Sequence, residues 1–317
     1  MNLIALAIIK LVFIAVLGYY LYRRNVIDER ILKFLNEFVI NVTVPFLIFS
    51  HLIENDDIVR GNSLLLFVAL SFLIFFLSSA IGFIYSLIRG VSPRFKREFI
   101  SLVAFQNCGY LPMNLVYVLL ENKLRENFLI YIFLYLFGFN IMMWSVGSFF
   151  IFRKKGEKFK VSTLFTPPVT ATLIGIVLVF FKASQFVPNI IISPIKMVGD
   201  MSFVLSMIIL GAQLGKIELD GFKQRIKLII EASFLKLVVV PFVFLLLMIQ
   251  FDKTSLIGFF VVFEAAMPSA ASLLLVARLK MADSSFIAQT VLLTHIVSIV
   301  TIPVWVAIFV SWSGITF

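Results

Sequence analysis

The sequence predicts an all-α membrane protein of ten transmembrane helices, built as two inverted five-helix repeats with broken crossing helices 4 and 9. Three observations predict it: a composition too apolar for water, basic clusters after alternate apolar runs, and matching proline- and glycine-interrupted spans. Hydrophobic residues make up 61% of the 317 and charged residues 14%, and the mean hydropathy is +1.07. Soluble domains carry about 45–50% apolar and about 25% charged residues, so a water-soluble fold is excluded.

Crossing a ~30 Å hydrocarbon core takes ~20 helical residues. Apolar runs between charged breaks place spans near 2–22, 31–53, 63–88, 98–120, 128–152, 162–182, 188–214, 226–250, 255–279 and 283–309. The first run has no basic segment before it and is followed by Arg23-Arg24, so it reads as a span and not as a cleaved leader. The 37 phenylalanines suit lipid-facing surface and helix packing alike. No stretch between spans is long enough for a soluble domain.

The net charge of +10 is a topology signal. Lys and Arg cluster after spans 1 (Arg23, Arg24, Arg30, Lys33), 3 (Arg89, Arg94, Lys96, Arg97) and 5 (Arg153, Lys154, Lys155, Lys158, Lys160). They cluster again after spans 7 (Lys216, Lys223, Arg225, Lys227) and 9 (Arg278, Lys280). The alternate loops hold only Arg60, Lys123, Arg125, Lys182 and Lys253, nineteen basic residues against five. By the positive-inside rule the chain is expected in the cytoplasmic membrane, multi-pass, with both termini extracytoplasmic. The pattern has none of the basic, aromatic-interleaved groove of a nucleic-acid binder, so the partner surface is the lipid bilayer and no nucleic acid is expected.

The chain reads as folded in half, residues 1–160 holding spans 1–5 and residues 161–317 holding spans 6–10. Gly18 and Gly175 lie about half a chain apart, in spans 1 and 6, and Pro112 and Pro268 keep almost the same offset, in spans 4 and 9. Halves with an odd number of spans enter the membrane in opposite orientations, the plan of many secondary transporters whose sites lie where interrupted helices meet.

Span 4 carries Gln106-Asn107-Cys108-Gly109-Tyr110-Leu111-Pro112-Met113-Asn114. Such a polar and helix-breaking run is costly in lipid unless it faces protein or water. Pro112 is expected to open a second half-helix, whose free amides carry positive partial charge and would face an anion. Span 9 repeats the device with Met267-Pro268-Ser269-Ala270-Ala271-Ser272, where Ser269 and Ser272 add hydroxyl donors. Span 2 places Asn41 four residues before Pro45, either bonding carbonyls that the proline frees or touching substrate.

Ionisable residues within a membrane are expensive and usually functional. Lys236, Glu264 and His295 lie about half-way along spans 8, 9 and 10, and Asp200 is deep in span 7, one helical turn from Lys196. Lys196–Asp200 reads as a self-neutralising pair. Glu264 and His295 are candidates for ion coupling, since a carboxyl or imidazole in a dry site can titrate near neutral pH. Lys236 would offset a substrate's charge or pair with Glu264. Lys10 and His51 lie nearer span ends, where snorkelling or solvation explains them. One cysteine, Cys108, and two histidines leave no cysteine cluster or His-rich metal site, and no cofactor is expected.

Together these motifs resemble the auxin efflux carrier family, whose microbial members include permeases of malate and malonate type. The residues that carry the resemblance are Asn41 and Pro45 with Phe46-Leu47-Ile48-Phe49, Asn107-Cys108-Gly109 leading to Pro112, and Thr166-Pro167-Pro168 with Ala171 and Gly175. Gly211-Ala212 with Leu214, Lys236-Leu237 before Pro241, and Met267-Pro268-Ser269-Ala270 with Ala277 complete the set. The resemblance implies a scaffold of spans 1, 2, 6 and 7, a transport unit of spans 3–5 and 8–10, and spans 4 and 9 crossing at the substrate site. That fold is shared with bile-acid symporters and sodium/proton antiporters, and relatives commonly form homodimers. The departures are a shorter interval from Asn107 to Pro112, Ser272 where relatives often have Asn, Val204 where they often have Pro, and the additional acid Asp200.

The expected function is alternating-access transport of a small organic anion coupled to protons or to the membrane potential. The alternative is sodium coupling, with Asp200 and Glu264 as oxygen ligands. An enzyme is not expected: Gly199-Asp200 lacks the first glycine of the aspartyl intramembrane protease motif, and no serine elbow or His-Glu-x-x-His is present.

Overall fold

The computed structural model describes residues 2–56, 59, 63–146, 161–217, 220–251, 256–274 and 284–314. Helix α1 (Asn2–Arg23) is a largely apolar run, interrupted only by Lys10, that stops at the first arginines. Asp28 then caps α2 (Glu29–Phe38), accepting from the Ile31 amide at 2.7 Å. A π turn at Val39–Thr43 carries α2 directly into α3 (Val44–Glu54). There follow α4 (Ser63–Ile88), α5 (Pro93–Ala104), α6 (Tyr110–Leu119) and α7 (Asn122–Met142). The second half holds α8 (Pro167–Phe180), α9 (Asn189–Gly215) and α10 (Phe222–Phe234), then a π turn at Leu235–Val239 leading into α11 (Val240–Phe251). Helices α12 (Leu256–Ala265) and α13 (Ser284–Ser313) complete it. The described residues form no β-strand, only an isolated antiparallel bridge between Gln106 and Ser269.

Among the described residues, six stretches are long and apolar enough to cross a bilayer alone: Glu29–Glu54, Leu64–Ile88, Lys123–Val146, Asn189–Gly215, Phe222–Gln250 and Ser285–Ser313. Spans 4 and 9 do not qualify because each is interrupted, leaving α6 and α12 as short apolar arms, and α8 is short as well. The protein is therefore a helical multi-pass membrane protein. Large side chains such as Phe13, Leu65 and Ile190 stand exposed on its outer faces, as lipid contact allows and water would not. The basic clusters at Arg153–Lys160 and at Arg278 and Lys280, together with Arg60 and Lys253, lie outside the described residues, and so does the boundary at residue 160.

Both π turns have the same cause. Proline has no N–H and its ring crowds the carbonyl four residues back, so the helix widens just ahead of Pro45 and of Pro241. The Val44 amide reaches back five residues to Val39 and the Val240 amide five to Leu235. Pro241 leaves the Leu237 carbonyl without its usual donor, and the Trp305 indole N–H supplies one at 2.8 Å. Span 8 is thereby tied to α13.

The helices pack chiefly in two groups. In one, α1 lies along α9, and α3 is held between α8 and α9; in the other, α4 packs on α5 and α7, α10 on α13, and α12 on α11 and α13. Helix α6 lies between them against α1, α7 and α9, and α7 also meets α3 and α8. The closest approach is the α1–α9 seam, where a side chain at Gly211 would run into the Ala15 backbone carbonyl and one at Gly18 into the Ile208 backbone. Small residues let helices meet at backbone distance where lipid supplies no hydrophobic drive. Because the obstruction at Gly211 is backbone, Gly211→Val should destabilise the protein by at least ~2 kcal/mol. Thermal unfolding in detergent reads this directly, and an unchanged midpoint would contradict the seam.

Candidate functional site

The interruption in span 4 begins where the Phe105 amide closes the last turn of α5 on Ser101 at 3.0 Å. That in span 9 begins after the Ala266 amide bonds Val262 at 3.0 Å, just ahead of Pro268, which has no amide hydrogen. The two extended segments cross antiparallel and satisfy each other. The Asn107 amide donates to the Pro268 carbonyl at 2.7 Å, and the Ala270 amide to the Phe105 carbonyl at 2.9 Å. The Ser269 hydroxyl donates to the Leu102 carbonyl in the last turn of α5 at 2.7 Å. Irregular backbone survives at this depth because the two breaks complete one another.

Side chains extend the crossing. The His295 Nδ1 lies 2.8 Å from the Val291 carbonyl and its Nε2 lies 3.0 Å from the Asn107 side-chain nitrogen. A carbonyl only accepts, so Nδ1 carries the proton, and Nε2 of the neutral ring accepts from the Asn107 amide. Gln106 bonds the Tyr135 hydroxyl. Helix α6 starts at Tyr110 with Gly109 as its N-cap, two residues earlier than the sequence predicts for Pro112. Pro112 still falls in the first turn, where an amide has no intrahelical partner to lose. Asn114, one turn further on, donates to the Ser206 hydroxyl of α9 at 2.9 Å.

Lys236, in the second π turn, and Glu264, near the end of α12, are fully buried. Among the described residues, neither the Lys236 Nζ nor either Glu264 oxygen has a hydrogen-bond partner. They act electrostatically on each other and on the buried Cys108, yet they do not form the direct pair that the sequence allowed. Burying two such groups in charged form without a direct pair costs several kcal/mol each.

A cavity of about 230 Å³ lies between α1, α6, α9 and α13. Its wall is almost wholly apolar, with Leu11, Ala15, Leu111, Met207 and Ile299 facing it, and the polar side chains on it are Tyr19, His295 and Ser298. Tyr19, Leu214, Leu292 and Ile296 continue into a wider mouth with Arg23 and Asp220. The cavity thus opens toward the end of the molecule where α1 meets its arginines.

The structure brings Asn107, Cys108, Gly109, Pro112, Met267, Pro268, Ser269, Glu264, Lys236 and His295 into and around the crossing. Others lie elsewhere. Asn41 is exposed on the first π turn, Pro45 is buried at the start of α3, and Ser272 is exposed at the start of the second arm of span 9, which is described only to residue 274. Asp200 sits half-buried in a separate cluster. Lys196 does not pair with it: Glu54, on the neighbouring α3, offers an oxygen at 2.5 Å. Nor is His51 a solvated end group, being only 3% exposed and 2.6 Å from Glu126. Sequence spacing could not find Glu126, Tyr135 or Trp305 as partners, since each bond joins spans far apart in the chain.

A family model described as "Membrane transport protein" matches residues 3–165 and 151–306. A protein of Methanothermobacter thermautotrophicus described as an "Uncharacterized transporter" is 24% identical over 302 residues, which cover 94% of this chain and 96% of that protein. Both accord with the resemblance read from the motifs.

Ser269→Ala removes the side-chain bond from span 9 to the last turn of α5 and leaves the buried Leu102 carbonyl short of a donor. The expected loss is about 1–3 kcal/mol of stability, read by thermal unfolding, and a midpoint equal to that of the unaltered chain would show the bond to be dispensable.

Proposed function

The chain belongs to the membrane transport protein family, and from that premise we propose that it is a secondary active transporter of small organic anions working by alternating access across the cell membrane. The observation that carries this reading is the Asn107–His295 bond at the wall of an apolar cavity, beside the first turn of α6. The amide-rich start of that helix favours a carboxylate, and Leu111 of the same turn faces the cavity. The lining favours an acid with an apolar body over a dicarboxylate such as malate, because a second charge would meet almost no polar partner there.

The two packing groups support a scaffold of spans 1, 2, 6 and 7 and a transport unit of spans 3–5 and 8–10, related as inverted repeats with ten spans in all. The loop charges support termini on the extracytoplasmic side, and the resemblance supports a homodimer. Coupling falls to His295, Glu264 and Lys236, all at the crossing. Proton coupling is preferred over sodium, since Glu264 and Asp200 interact with different sets of charges, Lys236 for the one and His51, Lys196, Glu126 and Glu54 for the other. They are poorly placed to share a cation.

Proteoliposomes holding the purified protein should take up a labelled aryl or alkyl monocarboxylate in preference to malate, and more strongly under a pH gradient than under a sodium gradient. Asn107→Ala should lower that uptake about tenfold, the equivalent of one ~1.4 kcal/mol hydrogen bond. Flux undiminished in both Asn107→Ala and His295→Ala would remove the site from this place.

A further inference from the structure

At the end of the molecule opposite the cavity mouth stands a cluster of ionisable groups. His51 near the end of α3 bonds Glu126 in the first turns of α7, with Nδ1 and Oε2 2.6 Å apart. Against a carboxylate acceptor, Nδ1 is the donor. The imidazole is 3% exposed and its ring lies 5.8 Å from that of Phe133. Around the pair stand Asp200 and Lys196 from α9 and Glu54 from α3, and Lys196 is held by Glu54. A His–carboxylate bond of this length, half-buried here, is charge-assisted and stronger than a neutral one.

Its placement gives it a meaning that its chemistry alone does not. Helix α3 packs mainly with α8 and α9 and α7 mainly with α4, and α7 meets α3 and α8 where the two groups adjoin. The bond therefore crosses from one group of helices to the other, whereas Lys196–Glu54 stays inside one. It lies at the ends of spans 2 and 5, while the cavity opens beside Arg23 at the end of span 1. One end of the seam between the groups is open and the other is pinned.

We infer that the His51–Glu126 bond is a latch between scaffold and transport unit that holds the extracytoplasmic side closed while the cavity faces the cytoplasm. The inference rests on the alternating-access reading above. For the two groups to slide and expose the cavity on the other side, this bond must break, and Lys196–Glu54 need not. Releasing the latch shifts the resting population toward the outward-open form.

The test uses Ile299→Cys on the cavity wall as a reporter, in sealed vesicles treated with a membrane-impermeant thiol reagent on one side or the other. With the latch intact, the reporter should be modified from the Arg23 side. Adding His51→Gln or Glu126→Gln should raise modification from the opposite side severalfold. The double variant should match either single one, because all three lose the same bond. Glu126→Asp, which only retracts the carboxylate, gives a smaller rise in the same direction and serves if a glutamine variant fails to fold. Sidedness that no variant moves, or single effects that add, overturns the latch. Carboxylate uptake by the same vesicles separates the two readings: uptake with unmoved sidedness rejects the latch alone, and no uptake by the unaltered chain rejects the carrier reading with it.

Discussion

Hydrocarbon offers a peptide group nothing to bond to, and the whole arrangement follows from that. A helix interrupted in mid-membrane exposes amides and carbonyls that must find partners within the protein. Here two interruptions meet, so that the Asn107 and Ala270 amides each find a carbonyl on the opposite strand, Pro268 and Phe105, and Ser269 closes the end of α5. Neither break would be tolerable alone. Because they need each other, spans 4 and 9 are locked in register at one point. The side chains that radiate from that point, Asn107 toward His295 and Gln106 toward Tyr135, have fixed places to go.

The same constraint explains the prolines outside the crossing. Pro241 frees the Leu237 carbonyl, and the Trp305 indole, one of three in the chain, answers it. The widened turn that results carries Lys236 inward, fully buried and without a hydrogen-bond partner among the described residues. Pro45 produces a similar turn on span 2, but there Asn41 remains exposed. Similar turns thus have different consequences, depending on whether a neighbouring helix covers them.

Much of this was legible in the sequence. Apolar runs gave the helices, and the Gly109–Pro112 and Pro268–Ser269 clusters gave the breaks, because both signals are local. The pairing of the breaks was legible too, through their offset of half a chain. Helix starts were less so: α6 begins at Tyr110 because Gly109 can serve as cap, and the proline alone does not decide it. Long-range polar bonds were not legible. Lys196 sits one turn from Asp200 and yet bonds Glu54, because a flexible ammonium takes the oxygen that tertiary packing brings nearest. His51 looked like a solvated residue at a helix end, and only the approach of α7 buries it against Glu126.

The hydrogen-bond polarity at His295 carries one more implication. Its Nδ1 is committed to the Val291 carbonyl within its own helix, so the ring can exchange a proton only at Nε2, the atom that now accepts from Asn107. A proton arriving there turns an acceptor into a donor, and two donors cannot face each other. The carboxamide of Asn107 would then have to rotate by half a turn and present its oxygen. Charging the imidazole and reorienting the amide are a single event, and a carboxylate beside them would meet a different face of Asn107 before and after it.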